Sequence, residues 1–107
     1  MQIHTYKTAG GKDLIIDYLD NLPLKEQAEG YHIISLLESE GMEAFEFLKT
    51  RQIEGKIWEI KFYRHNRFFY MLVNTDNIYL LHVCKKQKGK AEKYEIDKVR
   101  VRAKEIL

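Results

Sequence analysis

Hydrophobic positions in the first half of the chain recur with the period of a helix. Residues 2–7 form an alternating segment, which predicts a short first strand. Apolar residues then return every three to four positions over residues 12–21 and again over residues 24–40, which predicts two amphipathic helices. Pro23 separates the two helices because a proline ring interrupts helical hydrogen bonding, and Gly41 is a typical C-terminal stop.

The second half of the chain changes its period from about 3.6 residues to two. Over residues 57–63, one face carries Trp58, Ile60 and Phe62, and the other carries Glu59, Lys61 and Tyr63. Residues 68–74 and residues 78–84 predict two further strands, and short polar turns make the three strands an antiparallel meander. A final helix is predicted from about Ala91, with an apolar stripe that includes Val99 and Ala103.

These elements predict an α+β fold in one domain that spans residues 1–107. The expected order is an N-terminal strand, a helical hairpin, an antiparallel three-stranded meander and a C-terminal helix. The helices need an apolar partner, and the face around Trp58 supplies it. We therefore expect the helices on one face of the sheet and an open polar face on the other.

Charge divides the chain into an acidic half and a basic half. Residues 1–48 carry three basic and nine acidic side chains, whereas residues 49–107 carry fifteen basic and seven acidic ones. Strand alternation places much of this basic charge on the polar side of the predicted sheet. This convergence favours binding to a polyanion over a chance segregation of surface charge.

Composition excludes several other classes of protein. The single cysteine, Cys84, excludes an internal disulfide framework and suits a reducing compartment. No apolar run approaches the roughly 20 residues of a membrane span, and the first residues show no secretory pattern. We therefore expect a cytoplasmic protein. The four histidines are scattered, so we expect no metal site and no cofactor.

Four segments of the second half follow one another in a characteristic order. They are Ile-Trp-Glu-Ile-Lys-Phe at 57–62, Asn-Arg-Phe-Phe-Tyr at 66–70, Tyr-Leu-Leu-His-Val-Cys-Lys-Lys-Gln at 79–87 and Glu95-Ile96 in the last helix. This order resembles the HigB-like, phage-derived branch of the RelE/ParE toxins. The resemblance covers about residues 49–100. Lys61 stands where that family usually has arginine, Asn66 replaces a tyrosine, and a proline near the start of the last helix is missing.

The resemblance implies a RelE-like fold and a bacterial toxin that enters the ribosomal A site and cleaves the bound mRNA without a metal. The RNA 2′-hydroxyl attacks the adjacent phosphate, which requires a proton acceptor, positive charge on the phosphoryl oxygens and a proton donor. Lys61 is expected to contact phosphate or to act as the base. Arg67 is expected to hold the phosphoryl oxygens. A salt bridge to Glu59 is the competing interpretation, and the two are compatible if the bridge orients the arginine.

The remaining candidates follow the same resemblance. Lys86 is expected to supply charge on the catalytic face, and His65 is the candidate acid because histidine titrates nearest to neutral pH. Tyr94 either stacks on a base, assists proton transfer or anchors the last helix to the sheet. The expected RNA contacts are Arg64, Lys85, Lys88 and Lys90.

Two other functions remain open from the sequence. One is a non-enzymatic, ParE-like inhibitor of DNA gyrase, and the other is an RNA-binding module without cleavage. Convergent basic residues argue against the first, while RNA shortening would exclude the second. The expected partners are a helix-turn-helix, HigA-like antitoxin, the ribosome and mRNA, with no membrane and with DNA reached only through the antitoxin complex.

Overall fold

A computed structural model describes residues 1–106 as a five-stranded sheet with three α-helices. Its elements, in chain order, are β1 (Gln2–Thr5), α1 (Leu14–Asp20), α2 (Leu24–Glu40), a 3-10 helix (Gly41–Glu46), β2 (Lys49–Glu54), β3 (Ile57–Phe62), β4 (Asn66–Asn74), β5 (Asn77–Lys85) and α3 (Gly89–Ile106). The predicted α+β class and the predicted order of strand, helical hairpin, meander and terminal helix are confirmed.

Local signals set the ends of the first two helices. The Asp13 side chain accepts hydrogen bonds of 3.0 Å from the backbone N–H groups of Ile15 and Ile16, which caps α1. Pro23 lies immediately before α2, where its missing N–H costs no helical hydrogen bond. Gly41 ends α2 with a φ of 61°, a backbone conformation that glycine adopts without strain. The predicted bounds of α2 are confirmed.

The sheet has the strand order β1-β5-β4-β3-β2. Strands β2 to β5 form an antiparallel meander, and β1 pairs with β5 in parallel. The meander therefore has one strand more than predicted, because β2 precedes β3, the strand at which the predicted meander began. The turn between β2 and β3 contains Gly55 at a φ of 51°.

Two hydrophobic clusters lie on opposite faces of the sheet. On one face, α1 and α2 pack through Ile15, Leu19 and Ile33 against buried strand residues such as Ile60 and Phe68. The other cluster lies under α3, and it includes Ile57, Phe69, Met71, Leu81, Val99 and Ala103. The prediction of an apolar stripe on the last helix is confirmed.

The expectation of an open polar face is wrong, because α3 covers part of that face. The sheet is therefore covered by helices on both sides. Alternation along β3 predicted a polar side correctly at Glu59 and Lys61, yet Glu59 is fully buried. Ile57, Phe69 and Met71 on the same side form the apolar surface on which α3 packs. In the part of the chain that the structure describes, no helix is long and apolar enough to cross a membrane.

Candidate functional site

Two rows of side chains cross the sheet on the face that α3 partly covers. The register places one row at Lys49, Lys61, Arg67 and Cys84, on β2, β3, β4 and β5. The next row is Arg51, Glu59, Phe69 and His82. Directly opposite residues of antiparallel strands have Cα atoms about 4.5–5.5 Å apart. The first row therefore places three cationic side chains next to one another.

Arg67 is the buried member of the first row, with a 1% exposed side chain. Its Nη1 donates a 2.9 Å hydrogen bond to Glu59, and its Nη2 pairs with Glu92 in the first turn of α3. Its guanidinium also lies 4.8 Å from the ring centre of Phe69. Burial alone would lower the pKa of Arg67, but hydrogen bonds with Glu92 and Glu59 outweigh burial and raise it.

These contacts confirm the salt bridge that the sequence offered as the competing interpretation of Arg67. Glu59 also has Arg51 on its other side, with Arg51 Nε 3.0 Å from Glu59 Oε1. One buried carboxylate thus joins two guanidinium groups from neighbouring strands. Arg67 lies beneath α3, so its guanidinium is not accessible to an RNA phosphate.

Lys61 and Lys49 occupy the part of the row that α3 leaves accessible. Lys61 is partly exposed, and Lys49 is exposed on the edge strand β2 directly opposite it. Among residues 1–106, neither lysine has a carboxylate within 4.0 Å. Like charges directly opposite each other on a sheet are destabilising. An uncompensated pair of this kind is a typical anion-binding arrangement.

The turn between β3 and β4 lies at the same end of the sheet. Tyr63 and Arg64 adopt left-handed backbone conformations with φ of 44° and 66°, and Arg64 is exposed. The imidazole of His65 lies 3.2 Å from the Glu26 carboxylate of α2, and its side chain is 46% exposed. His65 is thus a partly exposed histidine whose ring is held by a carboxylate of α2.

Asn66 connects this turn to both helices on the opposite face. It is buried, donates a 2.6 Å hydrogen bond to Glu26 and accepts a 2.8 Å hydrogen bond from the Tyr18 hydroxyl. The hydrogen bond from Asn66 lowers the pKa of Glu26, so this carboxylate is charged at neutral pH. The asparagine that departs from the family pattern therefore has a structural function here.

Four predicted lysines lie between the last residue of β5 and the first turn of α3. Lys85, Lys86, Lys88 and Lys90 are all exposed. The Lys86 backbone N–H donates a 2.7 Å hydrogen bond to the His65 carbonyl, so the segment lies against the β3–β4 turn. The basic end of the sheet is defined here as Lys49, Lys61, Arg64, Lys85, Lys86, Lys88 and Lys90. In the described part of the chain, none of them has a carboxylate within 4.0 Å.

Tyr94 lies outside this basic end. Its side chain is 62% exposed on α3, and the Lys98 ammonium lies 4.7 Å from its ring centre. Glu92 contacts the sheet, and a residue two positions further along a helix points about 200° away from it. The four candidate catalytic residues Lys61, Arg67, Lys86 and Tyr94 therefore do not form one open surface, because Arg67 is enclosed and Tyr94 points away from the sheet.

His82, Cys84 and Glu95 form a buried polar cluster between β5 and α3. Within residues 1–106, this is the one group of three whose ligand atoms lie close enough together to share a metal ion, within 4.8 Å of one another. Hydrogen bonds already occupy it: Arg102 Nη1 lies 3.0 Å from His82 Nδ1, and His82 Nε2 pairs with Glu95. Since the guanidinium can only donate, the neutral ring carries its proton on Nε2, directed at Glu95.

The titration behaviour of this cluster fits a hydrogen-bonded network. Burial lowers the pKa of His82 despite the opposing effect of Glu95. Burial also raises the pKa of Cys84 to about 12, so the group is a thiol at neutral pH. For Glu95, burial is the largest effect and opposes ionisation, but the hydrogen bond from His82 and the charge interactions with His82 and Lys98 together outweigh it and lower the pKa.

Comparison with known families gives a match over most of the chain. The model of the family described as "Phage derived protein Gp49-like (DUF891)" covers residues 17–104. The chain belongs to this family. It is a family of RelE/HigB-like toxins in toxin–antitoxin systems, which implies an antitoxin partner. No curated protein matches the chain.

Lys49 and Arg51, the two β2 cations on this face, were not among the residues predicted from the sequence. Both were missed because β2 was not predicted. A usable signal was present in residues 50–53, which precede Glu54-Gly55 and the strand predicted over residues 57–63. A glycine turn between two such segments is typical of a hairpin. Glu92 was also missed, because nothing local links a residue of the last helix to Arg67.

Proposed function

We propose that the chain is a toxin that cleaves mRNA in the ribosomal A site without a metal. The RNA 2′-oxygen would form a bond to the adjacent phosphorus while the bond to the 5′-oxygen of the next nucleotide breaks. The products are a 2′,3′-cyclic phosphate and a free 5′-hydroxyl end. The membership of a RelE/HigB-like toxin family supports this proposal.

One structural observation supports the proposal in addition to the family membership. Lys49 and Lys61 lie directly opposite each other at the basic end, and in the described residues neither has a carboxylate within 4.0 Å. A pair of uncompensated cations gains free energy when it binds a polyanion and displaces its counterions. Preorganised positive charge is also what a phosphoryl transition state requires.

The residues of the basic end can be given separate roles in this reaction. We assign Lys49 to the phosphoryl oxygens and Lys86 to charge stabilisation beside them, while Lys61 either contacts the phosphoryl oxygens with Lys49 or accepts the proton of the 2′-hydroxyl. His65 is the candidate acid for the leaving 5′-oxygen, since Glu26 holds its ring and half of its side chain meets solvent. Lys85, Lys88, Lys90 and Arg64 are then contacts to the RNA backbone.

Arg67 and Tyr94 need a different assignment. Arg67 acts as a positioning residue, because it fixes Glu59 and α3 beside the row that contains Lys61. Direct contact between Arg67 and the scissile phosphate would require α3, with Glu92, to move away from Arg67. Tyr94 lies on the outer side of α3, where it could stack on a base at the edge of the bound RNA.

The test is cleavage of a defined mRNA on programmed ribosomes, with and without EDTA. The proposed toxin cuts within the A-site codon in both conditions, and Lys49→Ala with Lys61→Ala abolishes cutting. The matched control is Lys56→Ala with Lys104→Ala, which removes two exposed lysines at the far end of the sheet and of α3. His65→Gln tests the acid by slowing cleavage more than ribosome binding.

Each other outcome identifies a different function. Intact mRNA with retained ribosome binding would mean an RNA-binding module without cleavage, an alternative that the burial of Arg67 supports. Intact mRNA without RNA binding would overturn the proposal, and inhibition of DNA gyrase would be measured next. Cleavage that EDTA abolishes would overturn the metal-free mechanism alone.

We also propose that the antitoxin is a helix-turn-helix, HigA-like protein that covers the basic end or blocks entry to the ribosome. Ribosome and mRNA would then compete with it for the same charged surface, and DNA would be bound only through the antitoxin. Co-purification of the chain with its antitoxin, followed by a cleavage assay of the complex, tests this: full activity of the complex would contradict it.

A further inference from the structure

Strand β5 is paired on both sides along only half of its length. On its outer side, β1 pairs with it from Gln2↔Asn77 to Thr5↔Leu80. The last bond on this side runs from the Tyr6 N–H to the Leu80 carbonyl, at 3.0 Å. Beyond Leu80, the strand continues to Lys85 with β4 on its inner side only.

Alternation shows which backbone groups of this segment face outward. The Lys86 N–H bonds to the His65 carbonyl on the β4 side, at 2.7 Å. Because the backbone groups of successive strand residues point to opposite edges, those of Val83 and Lys85 point away from β4. Within residues 1–106, no hydrogen bond reaches these outward groups. Such unpaired groups form a template for another strand.

An open cavity of about 520 Å³ follows this edge, between α1 and α3. Its α1 wall is largely apolar, with Leu14, Tyr18 and Leu22, while Val83 lines its floor. Arg102 of α3 lines the opposite wall. An added strand would direct alternate side chains to these two different walls.

Charge distinguishes the two walls. Arg102 Nη1 donates to the Leu81 carbonyl at 2.9 Å and lies 3.0 Å from His82 Nδ1. In the described residues, no carboxylate lies within 4.0 Å of the Arg102 or Lys85 cations. Asp17 is the acidic residue of the lining, and it lies on the α1 side. The Arg102 wall therefore favours acidic side chains, and the α1 wall favours apolar ones.

We propose that an extended segment of a protein partner, with alternating apolar and acidic side chains, adds as a strand to the outer edge of β5 at Val83 and Lys85. This segment belongs to the antitoxin that membership of the family implies. This inference goes beyond the proposed function, because it concerns the edge groove between α1 and α3 and needs no cleavage. The backbone supplies the hydrogen bonds, and the two walls supply the side-chain preference.

The probe is a capped eight-residue peptide of alternating valine and glutamate, titrated into the isotope-labelled chain and followed by NMR. The peptide is expected to protect the Val83 and Lys85 amides from hydrogen exchange while the Cys84 amide, which faces β4, is unchanged. A matched peptide with N-methyl groups on alternate residues cannot pair as a strand and is expected not to bind.

Two pairs of variants separate backbone pairing from charge. Lys85→Pro removes an N–H group that points outward and donates no hydrogen bond to β4. We expect it to weaken peptide binding about tenfold. Lys85→Ala keeps that N–H and should have a much smaller effect. Replacing the peptide's glutamates with glutamine should weaken binding to the wild type, but not to Arg102→Gln.

Three outcomes would overturn the proposal. They are no spectral change at millimolar peptide, binding that Lys85→Pro and the N-methyl groups leave unchanged, and protection of Val83 without peptide in a concentration-dependent dimer. The last outcome would assign the edge to a second copy of the chain. The folded spectrum of each variant, recorded first, ensures that lost binding reflects the edge.

Discussion

Arg67 of β4 and Glu92 of α3 form an ion pair beneath the first turn of that helix. Arg67 is held on its other side by Glu59 of β3, so one guanidinium joins two strands and a helix. The position of α3 and the burial of Arg67 therefore depend on each other. An RNA that contacts Lys49 and Lys61 would therefore lie next to this helix.

Glu92→Gln should loosen the attachment of α3 to the sheet. It removes the charge that faces Arg67, and hydrogen bonds to charged groups contribute about 1.5–3 kcal/mol. We expect the free energy of unfolding, measured by urea denaturation, to fall by about 1–3 kcal/mol. Glu43→Gln, at an exposed position of the 3-10 helix, is the control. Equal stabilities of the two variants would contradict the importance of the pair.

Arg67 and Glu59 should show strong coupling in a double-mutant cycle. Arg67→Met leaves the fully buried Glu59 with fewer partners. Glu59→Leu removes one of the two carboxylates that pair with the buried Arg67. Breaking a buried pair typically costs about 3–5 kcal/mol. Arg67→Met with Glu59→Leu should cost clearly less than the sum of the single changes, by thermal or urea unfolding. Additive costs would show that the two side chains act independently.

Stability should decrease in mildly acidic solution because of His82. Burial lowers the pKa of His82 below its ordinary value of 6.5, so the unfolded chain binds the proton more readily than the folded one. The free energy of unfolding should therefore fall from about pH 7.5 to about pH 5.5. His82→Gln should reduce this dependence, whereas His32→Gln, at an exposed position, should not. Equal pH slopes in all three proteins would contradict the prediction.

Binding of single-stranded RNA should be salt-dependent through the basic end. Each phosphate contact contributes about 0.7 to the slope of log binding constant against log salt concentration. Lys49→Ala with Lys61→Ala should reduce the magnitude of that slope by roughly 1.4. The measurement is fluorescence anisotropy with a short labelled RNA, with Lys56→Ala and Lys104→Ala together as the control. If Lys49→Ala with Lys61→Ala left the slope unchanged, neither lysine would contact the RNA.

Gly30→Ala should destabilise the protein although alanine favours helices. A Cβ at this position of α2 would lie 2.6 Å from Leu19 Cδ2 and 3.1 Å from Phe62 Cε2. Overpacking of this kind typically costs about 1–3 kcal/mol. At Gly10 the nearest heavy atom would lie 3.9 Å away, so Gly10→Ala should be nearly neutral. A stabilised Gly30→Ala variant, by thermal unfolding, would show that α1 and β3 move apart easily.

The amino-acid sequence determined the local elements. Pro23 and Gly41 set the bounds of α2, and the two-residue alternation identified β3 with Lys61 on its polar side. Short-range sterics and backbone hydrogen bonding act through neighbouring residues, so they can be recognised in the sequence. The basic character of the second half, and with it a family of toxins, was equally accessible.

Only the tertiary structure decided what each face of the sheet contacts. Alternation separated Glu59 from Ile60, but it contained no information on whether water or α3 would cover Glu59. The partners of Arg67 and His82 are Glu92 and Glu95, which approach only when α3 packs across the sheet. Burial of a charged group depends on contacts between distant segments. For this reason the sequence identified Arg67 as a candidate, and only the fold showed that it is enclosed.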